Sequence, residues 1–217
     1  MSAQPDIDSR LDLLAVLRED RIAAVVRARS VADPRGLVEA LLGSGVRCVE
    51  FTFTTAGAVE AIRESARIPG ALVGAGTIQT AQEAVTAIEA GASFVVAPSL
   101  ALDIVAPCRE AGVPYVLGAF TPTEVVAAVR AGTAAVKLFP AGLGGPHYLK
   151  NLRGPFPDTE FVPSGGVTPS STPEFLAAGA IAVFAGSDLV PADAVALGEH
   201  AEVVRRAREF RAGLPSA

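Results

Sequence analysis

The chain has 217 residues, a formal net charge of −5 and hydrophobic residues at half its positions. That length fits one large domain with a real core. An acidic balance without a basic block argues against partners such as nucleic acid or an acidic membrane. No apolar run reaches the roughly 18 residues of a membrane span, so no membrane association is expected. Met1-Ser2-Ala3-Gln4-Pro5-Asp6 lacks the basic and apolar segments of a signal peptide, which sets the expectation of a cytoplasmic protein. Cys48 and Cys108 form neither a disulfide framework nor a metal spacing, and His147 and His200 lie far apart in sequence, so no metal site and no cofactor are expected.

Residues 6–20 carry helical periodicity, with Leu11, Leu14 and Leu17 on one face. Ile22-Ala-Ala-Val-Val-Arg27 reads as a short buried strand ending on an arginine. Asp33-Pro34 then opens a helix, with Asp as N-cap and Pro in the first turn. From there a module repeats: a helix stops at a small residue plus Gly, and an apolar strand follows. The stops are Gly45, Gly70, Gly91, Gly112, Gly132 and Gly179, spaced 25, 21, 21, 20 and 47 residues apart. Gly adopts the left-handed helix stop at little cost. The last gap holds two modules, with the strand around Phe161 between them.

The strands are expected at 22–27, 48–53, 72–74, 94–97, 115–117, 135–139, 160–162 and 182–185. They are apolar throughout, as parallel strands covered on both faces are. Eight of them alternating with helices predict an α/β protein of the (β/α)8 TIM-barrel type with an extra N-terminal helix. The expected organisation is one domain over residues 1–217, with the N-terminal helix at about 6–20, the barrel at about 21–198 and a charged C-terminal helix at about 199–212. An open doubly wound sheet is the structural alternative, but Arg27-Ala-Arg-Ser is not its usual Gly-rich first turn.

Barrel chemistry sits at the C-terminal ends of the strands. Those ends carry Arg27; Glu50 with Thr52 and Thr54; Gly74-Ala-Gly-Thr77; Pro98-Ser99; Gly118 to Thr123; Lys137 with Phe139; Ser164-Gly165-Gly166; and Gly186-Ser187. Lys137 stands inside an apolar strand. The chain has two lysines against sixteen arginines, so plain positive charge is supplied by Arg. A lysine kept in such a place suits a task a guanidinium cannot perform, namely acting as a neutral nucleophilic amine. Burial favours the neutral form, and a neutral amine attacks a carbonyl to give a Schiff base. The alternatives are a lysine that snorkels to water or a structural pair with Glu50. Alternation in strand two puts Glu50, Thr52 and Thr54 on one face, from which a carboxylate can shuttle protons. Gly-rich loops after strands seven and eight match the common barrel phosphate site. A Schiff-base enzyme, a phosphate-binding isomerase or epimerase, and a non-catalytic ligand-binding barrel all remain open on these residues.

The set resembles the 2-keto-3-deoxy-6-phosphogluconate (KDPG) aldolase family, which overlaps with 4-hydroxy-2-oxoglutarate aldolase. The matching pieces are Val49-Glu50-Phe-Thr-Phe-Thr-Thr, Val73-Gly-Ala-Gly-Thr77, Thr121-Pro-Thr-Glu124, Val136-Lys137-Leu-Phe-Pro-Ala141, Gly154-Pro-Phe-Pro157, Pro163-Ser-Gly-Gly-Val167 and Gly186-Ser187, in family order. The resemblance implies a metal-independent class I aldolase, a homotrimer, acting on a phosphorylated keto-acid substrate in the Entner-Doudoroff route. It implies that Lys137 forms the Schiff base and Glu50 is the acid/base. Thr77 would contact the pyruvyl portion, Phe139 and Pro98 would line the pocket, and Ser164, Gly165, Gly166, Gly186 and Ser187 would hold the phosphate. Thr54 stands where many members carry a carboxylate-binding arginine, and Arg27 at the neighbouring strand end is the candidate to serve instead. Ser164 stands in place of the more usual Thr and keeps the hydroxyl. Cleavage of the phosphogalactonate epimer or of 4-hydroxy-2-oxoglutarate is the alternative within the family.

Overall fold

In a computed structural model the described residues are 9–214. Eight parallel strands run β1 (Ile22–Val26), β2 (Cys48–Thr52), β3 (Leu72–Gly76), β4 (Val95–Val96), β5 (Tyr115–Ala119), β6 (Val136–Leu138), β7 (Phe161–Pro163) and β8 (Val183–Ala185). Each pairs with its sequence neighbour, and β1 also pairs with β8. A parallel bridge from Ser164 to Phe184 closes the ring between β7 and β8. This is the expected (β/α)8 barrel.

The helices are α1 (Ser9–Asp20), α2 (Pro34–Gly43), α3 (Ala58–Ser65), α4 (Ala81–Glu89), α5 (Val105–Ala111), α6 (Pro122–Arg130), α7 (Ala141–Arg153), α8 (Thr172–Ala177), α9 (Ala192–Leu197) and α10 (His200–Ala212). Their ends follow local chemistry. Asp33 caps α2, its carboxylate accepting from the Gly36 N–H at 2.9 Å. Thr80 with Glu83 and Thr121 with Glu124 close reciprocal capping boxes on α4 and α6, which satisfy orphan N–H groups of each first turn. Backbone N–H groups of Phe120 and Thr121 and the Thr121 hydroxyl hold the Glu124 carboxyl below its usual range. All six Gly stops have positive φ. The expected α1 start at about residue 6 lies outside the described residues, as does the side chain of Leu11.

Two cores result. One lies between strands and helices. The other fills the barrel, with Ala23, Val25, Cys48, Phe94, Val96, Val116, Ala135, Val162, Ala182 and Phe184 facing inward. Leu13, Leu14 and Leu17 of α1 join this inner core and plug the N-terminal end of the barrel. Asp20, at the end of α1, accepts from the backbone N–H of Arg47 at 3.0 Å and from its Nε at 2.9 Å, fastening the plug beside β2. Burial, with Glu50 and Asp20 nearby, pushes the Cys48 thiol well above its ordinary pKa.

Candidate active site

The C-terminal end of the barrel is built around two long side chains from opposite walls. Glu50 on β2 and Lys137 on β6 are 0 % and 3 % exposed. They meet inside the barrel, with Lys137 Nζ 3.4 and 3.5 Å from the two Glu50 carboxylate oxygens. Register fixes their heights. Glu50 lies level with Val25 and Gly74, and Lys137 level with Gly118 and Val162. The rings of Phe139 and Phe184 flank the amine, their centroids 5.9 and 5.7 Å from Nζ.

Glycines make the room. A Cβ on Gly76 would fall 1.8 Å from Glu50 Oε1, and one on Gly74 would fall 2.5 Å from the Phe94 ring. On Gly118 it would meet the Pro98 backbone at 2.3 Å. Gly74-Ala-Gly76, which from sequence alone could also be a turn, is strand, and its glycines face their neighbours' bulk inside the barrel.

Above the amine opens a cavity of about 190 Å³ lined by Arg27, Pro98, Lys137, Phe139, Ser164, Gly165, Gly166, Gly186 and Ser187, all expected, and by Val25, Val167 and Asp188. Gly165 and Gly166 both take left-handed φ, 80° and 77°. Their N–H groups donate to no protein atom among the described residues, leaving adjacent donors free for an anion. Ser164 is 5 % exposed and bridges β7 to β8.

Thr54 and Thr77 sit outside that lining and meet Arg27 instead. Its Nη1 donates to Thr54 Oγ1 at 3.0 Å and its Nη2 to Thr77 Oγ1 at 3.1 Å. Sequence reasoning did not single out Val25, Val167, Asp188 or Phe184. The inward parity of β8, through Ala182, Phe184 and Gly186, is the signal that points to Phe184. Among the described residues, no group of three or more His, Cys, Asp or Glu could hold a metal ion, and no helix is long and apolar enough to cross a membrane.

Fold and site together define a (β/α)8-barrel protein with a buried amine and carboxylate paired beneath an anion-adapted mouth. The family model for KDPG and KHG aldolase matches residues 13–206. A 2-dehydro-3-deoxy-phosphogluconate aldolase of Treponema pallidum is 37 % identical over 198 residues, 89 % of this chain and 93 % of that protein. The crystal structure of the KDPG aldolase of Zymomonas mobilis with 3-phosphoglycerate superposes with a TM-score of 0.83 at 32 % identity, covering 99 % of each chain. That of Legionella pneumophila KDPG aldolase, with pyruvate captured as a covalent carbinolamine, gives 0.80 at 26 % identity over 96 % of this chain and 98 % of that one. This chain belongs to the KDPG and KHG aldolase family.

Proposed function

We propose that the protein is a class I aldolase that reversibly cleaves 2-keto-3-deoxy-6-phosphogluconate to pyruvate and glyceraldehyde 3-phosphate. The observation that carries this reading is the Lys137–Glu50 pair at 3.4 Å, buried yet opening onto the cavity. The neutral amine of Lys137 attacks the C2 ketone, and Glu50 moves the protons that turn the carbinolamine into an imine. Glu50 then takes the C4 hydroxyl proton as the C3–C4 bond breaks. The electron pair of that bond flows into the protonated imine, giving an enamine. Protonation at C3 and hydrolysis release pyruvate and restore the amine.

Arg27 takes the C1 carboxylate, the contact best suited to a planar donor fork. Pro98 and Phe139 bound the chain of the sugar acid. Ser164, Gly165, Gly166, Gly186 and Ser187 receive the phosphate through N–H and hydroxyl donors. The reading carries with it a homotrimer working in the cytoplasm.

The test is borohydride reduction with pyruvate, followed by intact mass and peptide mapping. A pyruvate-sized adduct on Lys137 is expected. A folded protein that gives no adduct across neutral pH is instead a phosphate-binding isomerase or a binding barrel. Cleavage of 4-hydroxy-2-oxoglutarate is the second reading, because the matching family model covers KHG as well as KDPG aldolase. The ratio of kcat/KM for the two substrates decides between them.

A further inference from the structure

The guanidinium of Arg27 poses a physical problem. The side chain is exposed, and an exposed arginine samples many rotamers, so fixing it on a ligand costs entropy. Here it is already fixed. Two hydroxyls from neighbouring strand ends accept one hydrogen bond from each of its terminal nitrogens. That leaves three of its five N–H donors for other partners.

The hydroxyl proton of Thr54 is also committed. Thr52 Oγ1 donates to the Val26 carbonyl at 3.0 Å. A hydroxyl has one proton, so in the 3.1 Å contact between Thr52 and Thr54 it is Thr54 that donates. Thr54 therefore turns its lone pairs to Arg27, and the chain of protons runs from the guanidinium through Thr54 and Thr52 into the backbone of β1.

Thr77 adds an independent observation. Its φ is +60°, and only Arg21 among the other described non-glycine residues has a positive φ. Left-handed backbone is uncommon for any non-glycine residue and a genuine outlier for a β-branched one. Eleven described glycines serve this chain at positive φ elsewhere. A position that needed only the backbone shape would be served at less cost by glycine. What threonine supplies there is the hydroxyl on Arg27, and strain of this kind persists where function holds it.

We infer that Thr54 and Thr77 are positioning residues, which pre-orient Arg27 and so set the preference of the site for a 2-oxo acid over a neutral ketone. This rests on the aldolase reading and on Arg27 as the carboxylate contact. Neither threonine need touch the substrate.

The experiment measures the concentration of pyruvate that half-saturates borohydride trapping on Lys137, alongside trapping with hydroxyacetone, a ketone without a carboxylate. Thr54→Val and Thr77→Gly each raise the half-saturating pyruvate concentration about tenfold, the scale of one lost hydrogen bond to a charged group. Trapping with hydroxyacetone stays at the parent level. Thr54→Ser restores the parent value for pyruvate. In an Arg27→Met background, Thr54→Val adds no further change, the non-additivity expected of residues acting through one another. Thr77→Gly unfolds thermally at or above the parent midpoint while binding pyruvate worse, which a merely structural threonine would not do.

Parent-like pyruvate saturation in both threonine variants overturns the proposal, as does an equal loss for pyruvate and hydroxyacetone. Absence of any adduct in the parent protein overturns the aldolase reading, and the proposal with it.

Discussion

The two ends of the barrel solve the same problem in opposite ways. Eight inward-facing strands leave an axis that must be filled at both ends. At the N-terminal end Leu13, Leu14 and Leu17 of α1 fill it, and Asp20 with Arg47 locks the plug from outside. At the C-terminal end the axis is filled by an amine-bearing and a carboxyl-bearing side chain that meet at 3.4 Å beneath an open cavity. Burying charge costs several kcal/mol per ion before pairing offsets it, whereas burying leucines is favourable by about 1.5–3 kcal/mol each. One end is thus where stability comes from, and the other is where stability is given up for reactivity.

Substitutions at each end separate these roles. The largest effect is expected from Lys137→Arg. A guanidinium can still pair with Glu50 but forms no imine, so turnover is lost while the protein remains folded by circular dichroism; near-parent cleavage by this variant would sink the Schiff-base mechanism. Next comes Glu50→Gln, which keeps the shape and loses the proton shuttle. A fall in kcat of about 10²–10⁴-fold is expected, and an unchanged rate would take Glu50 out of that role.

Leu17→Ala attacks the other end. Truncating this fully buried leucine lowers unfolding free energy by about 2–5 kcal/mol, read by denaturant titration, while kcat of the folded protein holds. A parallel fall in kcat would mean that the two ends are not separable.

The smallest effect is at Glu124→Gln, in the capping box of α6. Its carboxyl is held below the usual range in the folded state. Its contribution is therefore full above the ordinary glutamate value and lost as pH falls through the lowered one. The variant is less stable by about 0.3–1.5 kcal/mol at neutral pH, and the gap closes in acid. A gap that grew in acid would contradict the assigned direction.

Much of the molecule could be read from sequence because its signals are local. Gly at each helix stop, Asp33-Pro34 and the unbroken apolar strands each encode one element, and eight repeats of the module leave few topologies. Lys137 and Glu50 were legible for a different reason: each breaks the chemistry of its own strand. What escaped was set by distant neighbours. Gly76 reads as a turn residue until Glu50 is seen occupying the space of its missing Cβ. Thr54 and Thr77 read as groups facing substrate, and only the reach of the Arg27 side chain from the end of β1 across the ends of β2 and β3 joins them to it. The broken start of α7 at Gly145, with φ of 64° and Leu143 80 % exposed, is by contrast local, because Gly144-Gly145-Pro146 interrupts a helix by itself.

The leucine plug has a kinetic corollary. With the far end of the barrel shut, the amine of Lys137 lies at the bottom of a cul-de-sac that opens through the cavity. A fragment tethered to Lys137 by the proposed chemistry would be the innermost, with the aldehyde nearer the door. Under the proposed chemistry the aldehyde departs first and pyruvate last. In the synthetic direction the queue reverses, so pyruvate has to enter before its partner.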